Sequence, residues 1–325
     1  METIDVVVAQ ADELNPLIRR LTLRSQGGAA LPGFAPGAHL RVKVSLAEGG
    51  EDWRHYSLIN FSTEPGVTDA PDHYVIAVRR EDDGRGGSRL MHTLQAGAVL
   101  TIEPPHNDFP LGEHEGGTVL LAGGIGVTPL TSMAARRAAE GRPVRMVYAG
   151  RSRELMAFLP ELQGLLGDAL AVHADVEAGT PLDVAAMLDS CADTDRLYVC
   201  GPKLMLDAVL AQAHARGWPS ERVHFELFTA AAPQAGDHAF EVELAQSGQR
   251  FTVPADQSIL ECLIDHGCDP LFDCKRGECG VCAVPVIEGD IDHRDYVLTA
   301  SEKAAGNVMQ VCISRCKGQR LVLDL

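Results

Sequence analysis

The chain has 325 residues, enough for two or three domains of roughly 100–200 residues each and too many for one small disulfide-stabilised fold. Hydrophobic residues make up 46% and charged residues 22%, which excludes a largely disordered or fibrous chain. With 28 Lys and Arg against 45 Asp and Glu the net charge is −17, so the overall charge argues against nucleic-acid binding.

The beginning of the chain has no basic stretch followed by an apolar run, as a secretion signal would. The most apolar segment, residues 119–135, is interrupted by Gly123, Gly124, Gly126 and Pro129 and does not resemble a membrane span. We therefore expect a soluble, cytoplasmic protein that does not associate with membranes.

Residues 4–108 contain short β-type segments separated by clusters of Gly, Pro, Asp and Ser, with almost no helical periodicity. The predicted strands are Ile4–Ala9, Leu17–Leu23, His39–Val44, Trp53–Ile59, Tyr74–Arg79 and Val99–Glu103. Many short strands with turn residues between them are typical of a small antiparallel β-barrel. We predict a first domain over residues 1–108.

From Thr118 the pattern changes, because apolar strand-like runs now alternate with helical stretches. The predicted strands are Thr118–Ala122, Val144–Ala149, Ala169–Ala174 and Arg196–Cys200, and the predicted helices are Pro129–Glu140, Leu155–Leu166, Pro181–Leu188 and Lys203–Arg216. This alternation predicts a parallel α/β sheet in a second domain over residues 109–228.

Residues 229–238 are small and polar with Pro and Gly, as expected of a linker. A third domain over residues 239–325 then begins with a predicted hairpin, Phe240–Leu244 and Arg250–Val253. Ser258 is placed to cap a helix from Ile259 to His266. This unit is close to the lower size limit for independent folding.

Four of the nine cysteines follow the spacing Cys274-x4-Cys279-x2-Cys282-x29-Cys312. This is the plant-type ligand spacing for a [2Fe–2S] cluster. A structural zinc site is the alternative, although zinc sites usually show two C-x2-C pairs. Cys316 is a rival for the fourth ligand, but it lies in a polar turn whereas Cys312 ends an apolar run.

Two glycine-rich turns and one strand have the residues needed to bind phosphate. The turn Gly123-Gly-Ile-Gly-Val-Thr-Pro129 runs from a predicted strand into a predicted helix, with Thr128 as N-cap and Pro129 as first helical residue. Its alternative is an ordinary tight turn, since Pro129 replaces the third glycine of G-x-G-x-x-G.

The second turn is Gly84-Arg-Gly-Gly-Ser88, for which an exposed hairpin loop is the alternative. In the strand Arg54-His-Tyr-Ser-Leu58, Arg54 and Tyr56 share one face, which could bind a phosphate and a ring or be an ordinary edge strand.

These motifs in this order resemble the phthalate dioxygenase reductase family, the single-chain reductases of Rieske-type oxygenases in the ferredoxin reductase superfamily. The resemblance covers essentially the whole chain. Its other landmarks are Cys200-Gly-Pro202, His224-Phe-Glu-Leu-Phe228 and the closing Leu321-Val-Leu-Asp-Leu325. It implies a flavin-binding β-barrel, a nicotinamide-nucleotide α/β domain and a β-grasp ferredoxin.

The resemblance also implies the cofactors FMN, a [2Fe–2S] cluster and NADH, with FAD as an alternative flavin. The implied flavin ligands are Arg54, His55, Tyr56, Ser57, Ala77, Val78, Arg79, Gly86, Gly87, Ser88 and Phe228. Gly124, Gly126 and Thr128 are expected to border the nucleotide, and Ser57, Cys200, Glu226 and Phe228 the reacting rings. Three departures from the family pattern are His106, where an arginine is usual, Thr229, where glycine is common, and Cys316, which is an additional thiol.

Electron counting implies the mechanism. A nicotinamide gives two electrons as hydride and a [2Fe–2S] cluster accepts one at a time, so a flavin must lie between them. We expect a monomeric NADH-dependent reductase that passes single electrons to a Rieske-type oxygenase. Alternatives are a reductase for a cytochrome P450 or another monooxygenase, and a non-catalytic iron–sulfur redox sensor.

The choice between NADH and NADPH rests on Gly150-Arg-Ser-Arg153, which follows the strand Val144–Ala149. Arg151 and Arg153 could bind the 2′-phosphate of NADPH, whereas Glu154 would repel it. The resemblance favours NADH. We therefore predict a preference for NADH with some use of NADPH.

Overall fold

The computed structural model describes residues 2–46, 49–82, 84, 86–228 and 234–325. Arg85, Thr229 and the linker as far as Pro233 lie outside the described residues. The chain divides into two compact units, of which the first ends at Glu226 and the second begins at Leu227. The sequence-based boundaries at 108, 228 and 238 stay a prediction. No helix of the described ranges has the length and apolar character needed to cross a bilayer.

The first unit begins with six strands and one short helix. They are β1 (Ile4–Asn15), β2 (Ile18–Ser25), β3 (His39–Ser45), β4 (Glu51–Ser57), β5 (Tyr74–Arg79), α1 (Gly87–Thr93) and β6 (Val99–Ile102). The strands pair antiparallel in the order β4-β3-β6-β1-β2-β5. A hydrogen bond of 2.9 Å from Ile59 N to Val75 O joins the two ends of this sheet, which therefore curls into a barrel.

The barrel is held together by alternating apolar residues that point inward from every strand, as a half-buried antiparallel sheet requires. Leu21, Leu40, Val42 and Ile76 are all completely buried. Strand β1 continues six residues past its predicted end, because Asn15 Oδ1 accepts hydrogen bonds from the next turn and closes a long hairpin with β2.

The remainder of the first unit is an α/β sheet. Its elements are β7 (Thr118–Gly123), α2 (Val127–Ala139), β8 (Val144–Gly150), α3 (Leu159–Leu166), β9 (Leu170–Ala174), α4 (Asp175–Ala178), α5 (Val184–Asp189), β10 (Arg196–Cys200), α6 (Lys203–Ala215) and β11 (Val223–Glu226). The five strands are parallel in the order β11-β10-β7-β8-β9. Strand β11 and helix α4 were not predicted, since four-residue segments carry too little periodicity.

Helix α2 begins at Val127, so the prediction that Thr128 is the N-cap and Pro129 the first helical residue is wrong. The reason is that a 3-10 turn, Gly124–Gly126, runs directly into the helix and already supplies its first turn. The Thr128 hydroxyl donates back to Ile125 O at 3.0 Å instead of capping. Pro129 is tolerated because the first turn of a helix needs no intrahelical N–H.

The second unit is a small α+β fold. Its elements are β12 (Phe240–Leu244), β13 (Arg250–Val253), α7 (Ile259–Asp265), β14 (Ala283–Glu288), β15 (Ile291–Asp292), α8 (Ala300–Ala305), β16 (Val308–Gln310), β17 (Arg315–Cys316) and β18 (Arg320–Leu323). The main sheet has the order β13-β12-β18-β14-β16, with β12 parallel to β18. Ser258 caps α7 as predicted, in a reciprocal capping box with Glu261.

Candidate functional site

Arg54 and Tyr56 lie on the face of β4 that meets the barrel interior. They pair across the ladder with Val42 and Leu40, which are fully buried core residues. Burial raises the pKa of the Tyr56 phenol far above its usual value, so the ring stays neutral. The Arg54 guanidinium forms an ion pair with Asp52 and remains partly exposed at the rim. The two side chains thus combine a cation and an uncharged aromatic ring, as predicted from their alternation.

His55 points to the opposite face of β4. Its ring stacks on that of His39, with centroids 4.7 Å apart and an interplanar angle of 11°. A ligand bound on the face of Arg54 and Tyr56 can therefore contact the backbone of His55 but not its side chain.

The turn before α1 lies directly beside Arg54. Gly86 has φ +99°, a conformation that favours glycine. A Cβ at Gly87 would lie 3.1 Å from Val44 Cγ2 and 3.4 Å from Arg54 Nε, so a side chain would fill the space beside the guanidinium. The Ser88 hydroxyl accepts a hydrogen bond of 3.0 Å from Glu81 N, which ties the beginning of α1 to the segment after β5. Backbone and cation together form a cradle that fits a phosphate.

The hydroxyl of Ser57 is a buried polar group that lacks a hydrogen-bond partner among the described residues. Ser57 is only 5% exposed, at the carboxyl end of β4. A buried hydroxyl without a partner is costly unless a ligand completes it. This observation fits a bound group that presents a hydrogen-bonding atom, such as a flavin.

Strand β5 brings three further predicted flavin ligands to the nucleotide turn. Ala77 and Val78 are buried, whereas Arg79 is exposed and lies 3.2 Å from the Glu81 carboxylate. The strand contacts the 3-10 turn Gly124–Gly126 of the α/β sheet. The structure therefore brings the predicted flavin strand and the predicted nucleotide turn together.

The nucleotide turn packs closely against the Cys200-Gly-Pro202 segment. A Cβ at Gly126 would collide with the carbonyl of Cys200, and one at Gly201 would lie 3.0 Å from Gly123 Cα. Gly124 has φ +54° with no heavy atom within 4 Å of the position of a Cβ, so its backbone borders open space. The turn is thus anchored on one side and open on the other, as an approaching pyrophosphate requires.

Cys200 and Glu226 are neighbours at the carboxyl ends of β10 and β11. The register pairs Cys200 with Ala122 on one side and with Glu226 on the other. Both side chains are buried, with Cys200 1% and Glu226 3% exposed. Phe228, two residues further on, is half-buried and belongs to the second unit.

The four predicted cluster cysteines form two thiol pairs in the second unit. A hydrogen bond from Cys279 lowers the pKa of Cys274 to about 5, and the same bond raises the pKa of Cys279. Cys282 and Cys312 behave alike, because the bond from Cys312 lowers the pKa of Cys282 and raises that of Cys312. Two pairs of thiolates fit two irons, each held by one pair.

The thiol arrangement also favours one of the two metal sites considered. Four sulfurs around one zinc ion at about 2.3 Å would be mutually about 4 Å apart. Among the described residues, no three of these sulfurs lie within 4.8 Å of one another. The donor set therefore fits a two-metal cluster better than a single zinc ion.

The cysteine loop needs unusual backbone conformations. Gly277 and Gly280 have φ +77° and +78°, and Lys275 has φ +56°. A Cβ at Gly277 would lie 2.7 Å from Ile313 Cγ2. The backbone N–H of Arg276 donates to Cys274 Sγ at 3.3 Å, which is the kind of N–H···S contact that such a loop provides.

Sequence analysis missed a buried ion pair inside the cysteine loop. Arg276 Nε lies 2.9 Å from Glu278 Oε1, and both side chains are 8% exposed. Glu278 Oε2 also accepts a hydrogen bond of 2.7 Å from Leu227 N. The sequence signal that could have indicated this ion pair is the opposite charge of the two residues on either side of Gly277.

Cys316 does not belong to the thiol pairs. Its sulfur donates to Arg320 O at 3.4 Å, and burial raises its pKa. The structure thus favours Cys312 over Cys316 as the fourth ligand.

Comparison with known proteins agrees with this geometry. Residues 242–317 match the model for the 2Fe-2S iron-sulfur cluster binding domain, and residues 120–211 match that for the oxidoreductase NAD-binding domain. The chain is 40% identical over 332 residues to tetrachlorobenzoquinone reductase of Sphingobium chlorophenolicum, covering 100% of this chain and 99% of the relative. It is 38% identical to a putative toluene-4-sulfonate monooxygenase system reductase subunit of Comamonas testosteroni, with 99% of both chains covered.

Among solved structures, phthalate dioxygenase reductase is similar over 99% of this chain and 98% of its own, with 35% identity and a TM-score of 0.74. That protein is described as a modular structure for electron transfer from pyridine nucleotides to [2Fe-2S]. These matches confirm the predicted fold class, the oxidoreductase activity, the nicotinamide-nucleotide domain and the [2Fe–2S] domain. The chain belongs to the phthalate dioxygenase reductase family.

Proposed function

We propose that this protein is the NADH-dependent reductase component of a Rieske-type aromatic oxygenase system and works as a monomer. Residues 1–108 bind FMN, residues 109–228 bind NADH, and residues 239–325 carry the cluster and meet the oxygenase. The observation that supports this best is the presence, in one chain, of a phosphate cradle, a nucleotide turn and two thiol pairs.

In the barrel, each proposed ligand has a separate task. Arg54 and the backbone of Gly86, Gly87 and Ser88 hold the FMN phosphate by charge-assisted hydrogen bonds. The Tyr56 ring packs against the flavin, and Ser57 donates its otherwise unpartnered hydroxyl to it. The remaining proposed contacts come from β5 and from the backbone of β4: Ala77, Val78, Arg79 and His55.

In the α/β domain, Gly124, Gly126 and Thr128 border the NADH pyrophosphate at the beginning of α2. Cys200, Glu226 and Phe228 exclude water around the reacting rings. When bound, FMN takes two electrons from NADH as hydride and releases them singly, as a [2Fe–2S] cluster requires.

Cys274, Cys279, Cys282 and Cys312 hold the cluster. The buried Arg276–Glu278 pair and Ile313 keep water from this loop, because all three side chains are at most one-tenth exposed. An aromatic oxygenase is the proposed partner since relatives are named as a reductase subunit of a toluene-4-sulfonate monooxygenase system and as phthalate dioxygenase reductase.

The test distinguishes electron transfer that needs only the flavin from electron transfer that also needs the cluster. The purified protein should reduce ferricyanide and cytochrome c with NADH. Light scattering should give the molar mass of a single chain. Cys282→Ser should keep ferricyanide reduction, which needs only the flavin, and lose most cytochrome c reduction, while Cys316→Ser should keep both. A protein that oxidises no NADH would be a sensor, and one that supports a purified cytochrome P450 but no Rieske oxygenase would contradict the proposed partner.

A quinone reductase is a second candidate, favoured by the 40% identity to tetrachlorobenzoquinone reductase. A quinone can take electrons in pairs. Cys282→Ser would then retain quinone turnover, whereas the oxygenase reductase would lose transfer to its partner protein.

A further inference from the structure

The loop after β8 lies where an α/β sheet distinguishes the two nicotinamide nucleotides. The strand order reverses between β7 and β10, and open α/β sheets bind ligands outside the carboxyl ends of their strands at such a point. The strand after the glycine turn ends at the adenosine ribose, where an acidic residue favours NAD and an arginine favours NADP. Here that strand is β8, which is followed by Arg151, Ser152 and Arg153.

Two side chains of this loop, Ser152 and Arg153, are already engaged by carboxylates. Arg153 Nε lies 2.8 Å from Oε2 of Glu177, a residue of α4 at the end of the neighbouring strand β9. The Ser152 hydroxyl lies 3.4 Å from Glu154 Oε1. A hydrogen bond of 3.0 Å from Val176 N to Arg151 O fixes α4 against the loop. Glu177 is thus held beside Arg153 by the backbone as well as by its charge.

The charge near this loop is unfavourable for a phosphate. Glu154, Asp175 and Glu177 contribute three carboxylates within two adjoining segments, against Arg151 and Arg153. Asp175 in turn lies 3.3 Å from His173 Nε2. A 2′-phosphate is repelled by these carboxylates, whereas the uncharged ribose 2′-hydroxyl of NADH is not.

The Arg153–Glu177 pair is half exposed, with side-chain exposures of 52% and 53%. Ion pairs at this exposure contribute little to folding stability. A change at Glu177 therefore alters the local charge and the freedom of Arg153 without threatening the fold.

We propose that Glu177 is a specificity-determining residue, which favours NADH over NADPH by occupying Arg153 and repelling a 2′-phosphate. The proposal rests on the proposed NADH-dependent activity and adds the residue that sets the choice of donor. Removal of the Glu177 charge leaves Arg153 free to pair with a phosphate, as guanidinium does readily.

The test compares Glu177→Gln, which keeps the size of the side chain, with the unaltered protein. With ferricyanide as acceptor, kcat/KM for NADPH should rise on the order of tenfold, as one charge-assisted contact allows, while that for NADH changes less than about twofold. In calorimetry, the affinity for adenosine 2′,5′-bisphosphate should rise and that for AMP should not.

Two variants serve as controls. Asp189→Asn removes one exposed carboxylate, at the end of α5, from an ion pair with Arg216 at 2.8 Å, and should leave the donor preference unchanged. Adding Arg153→Ala to Glu177→Gln should abolish the gain with NADPH.

An unchanged ratio of NADPH to NADH in Glu177→Gln, or a gain that survives Arg153→Ala, would overturn the assignment of Glu177. A preference of the unaltered protein for NADPH would also overturn the assignment of Glu177. Failure of the proposed function would look different, because the protein would then oxidise neither nucleotide although calorimetry still reported binding.

Discussion

At the residue scale, the candidate flavin site depends on polar groups whose partners are supplied by ligands. Ser57 is the clearest case, because its hydroxyl is buried without a partner among the described residues. Arg54 differs, since Asp52 already neutralises part of its charge. A hydroxyl in this state costs stability in the flavin-free fold and becomes favourable only once a ligand accepts its proton.

Ser57→Ala should therefore weaken FMN binding about fivefold, a loss of about 1 kcal/mol, without lowering the stability of the flavin-free protein. Fluorescence titration with FMN and thermal unfolding of the flavin-free protein measure the two quantities. Ser45→Ala, at an exposed serine on β3, is the matched control. Weaker folding with unchanged FMN affinity would contradict the assignment.

The fourth cluster ligand is a second prediction at this scale. Cys312 shares a hydrogen bond with Cys282, whereas Cys316 donates to a backbone carbonyl. Cys312→Ser should lose or alter the electron paramagnetic resonance signal of the reduced protein, and Cys316→Ser should keep it. Loss of the signal in Cys316→Ser and its retention in Cys312→Ser would show that Cys316 is the fourth ligand, and that Cys312 and the apolar run before it only pack in the core.

At the element scale, short turns determine where the ligands lie. The turns at Gly86, Gly124 and Gly277 all use positive φ, and each holds the backbone next to a candidate ligand. Regular strands and helices hold these turns in place, so the chemistry is on loops and the rigidity is in the sheets.

Gly277→Ala should lower the iron content of the purified protein markedly. An alanine at φ +77° costs about 1–2 kcal/mol, and its Cβ would also meet Ile313 Cγ2 at 2.7 Å. Gly306→Ala is the control, because Gly306 has φ +64° with no heavy atom within 4 Å of its Cβ position. Equal iron per chain in the two variants would mean that crowding by Ile313 is unimportant.

The beginning of the second unit is fixed by a network of charges. A hydrogen bond from Arg294 lowers the pKa of Asp237 to about 2, and Arg315 lies 3.9 Å away. Because the folded pKa is below the ordinary 3.8, this stabilisation is complete above about pH 5 and is lost as pH falls toward 2.

Asp237→Asn should accordingly destabilise the second unit by about 2 kcal/mol at pH 7. Urea unfolding followed by circular dichroism measures the difference between the variant and the unaltered protein. That difference should stay constant from about pH 5 to 8 and shrink below about pH 4. A difference independent of pH down to about 3 would assign the effect to packing instead of charge.

At the scale of the whole molecule, the net charge of −17 governs encounters with other molecules. A negative surface attracts cationic acceptors and repels anionic ones, and salt screens both effects. The identity of the acceptor protein therefore matters through its charge as well as its chemistry.

Reduction of cytochrome c, a basic protein, should slow as ionic strength rises from about 0.01 to 0.5 M. Reduction of ferricyanide, a trianion, should become faster over the same range. Steady-state rates with saturating NADH measure both. If cytochrome c reduction becomes faster and ferricyanide reduction slower, the charge near the electron exit is opposite in sign to the net charge; if both acceptors respond in the same direction, surface charge does not govern these encounters.

Sequence patterns predicted much of this protein because they reflect local physics. Period-2 alternation located all six barrel strands, the alternation of apolar runs with helices located a parallel sheet, and Ser258 marked the beginning of α7. The cysteine spacing alone pointed to an iron–sulfur cluster, since four thiolates at those intervals serve few other purposes.

Only the tertiary structure decided features that depend on segments distant in sequence. Thr128 is no cap because the preceding turn joins the helix, and β11 exists because β10 offers it an edge for pairing. Likewise, Arg153 is paired with Glu177, 24 residues later, because β8 and β9 are neighbours in the sheet. A sequence determines which side chains are available, but the fold determines which of them meet, because contact depends on strand order and register.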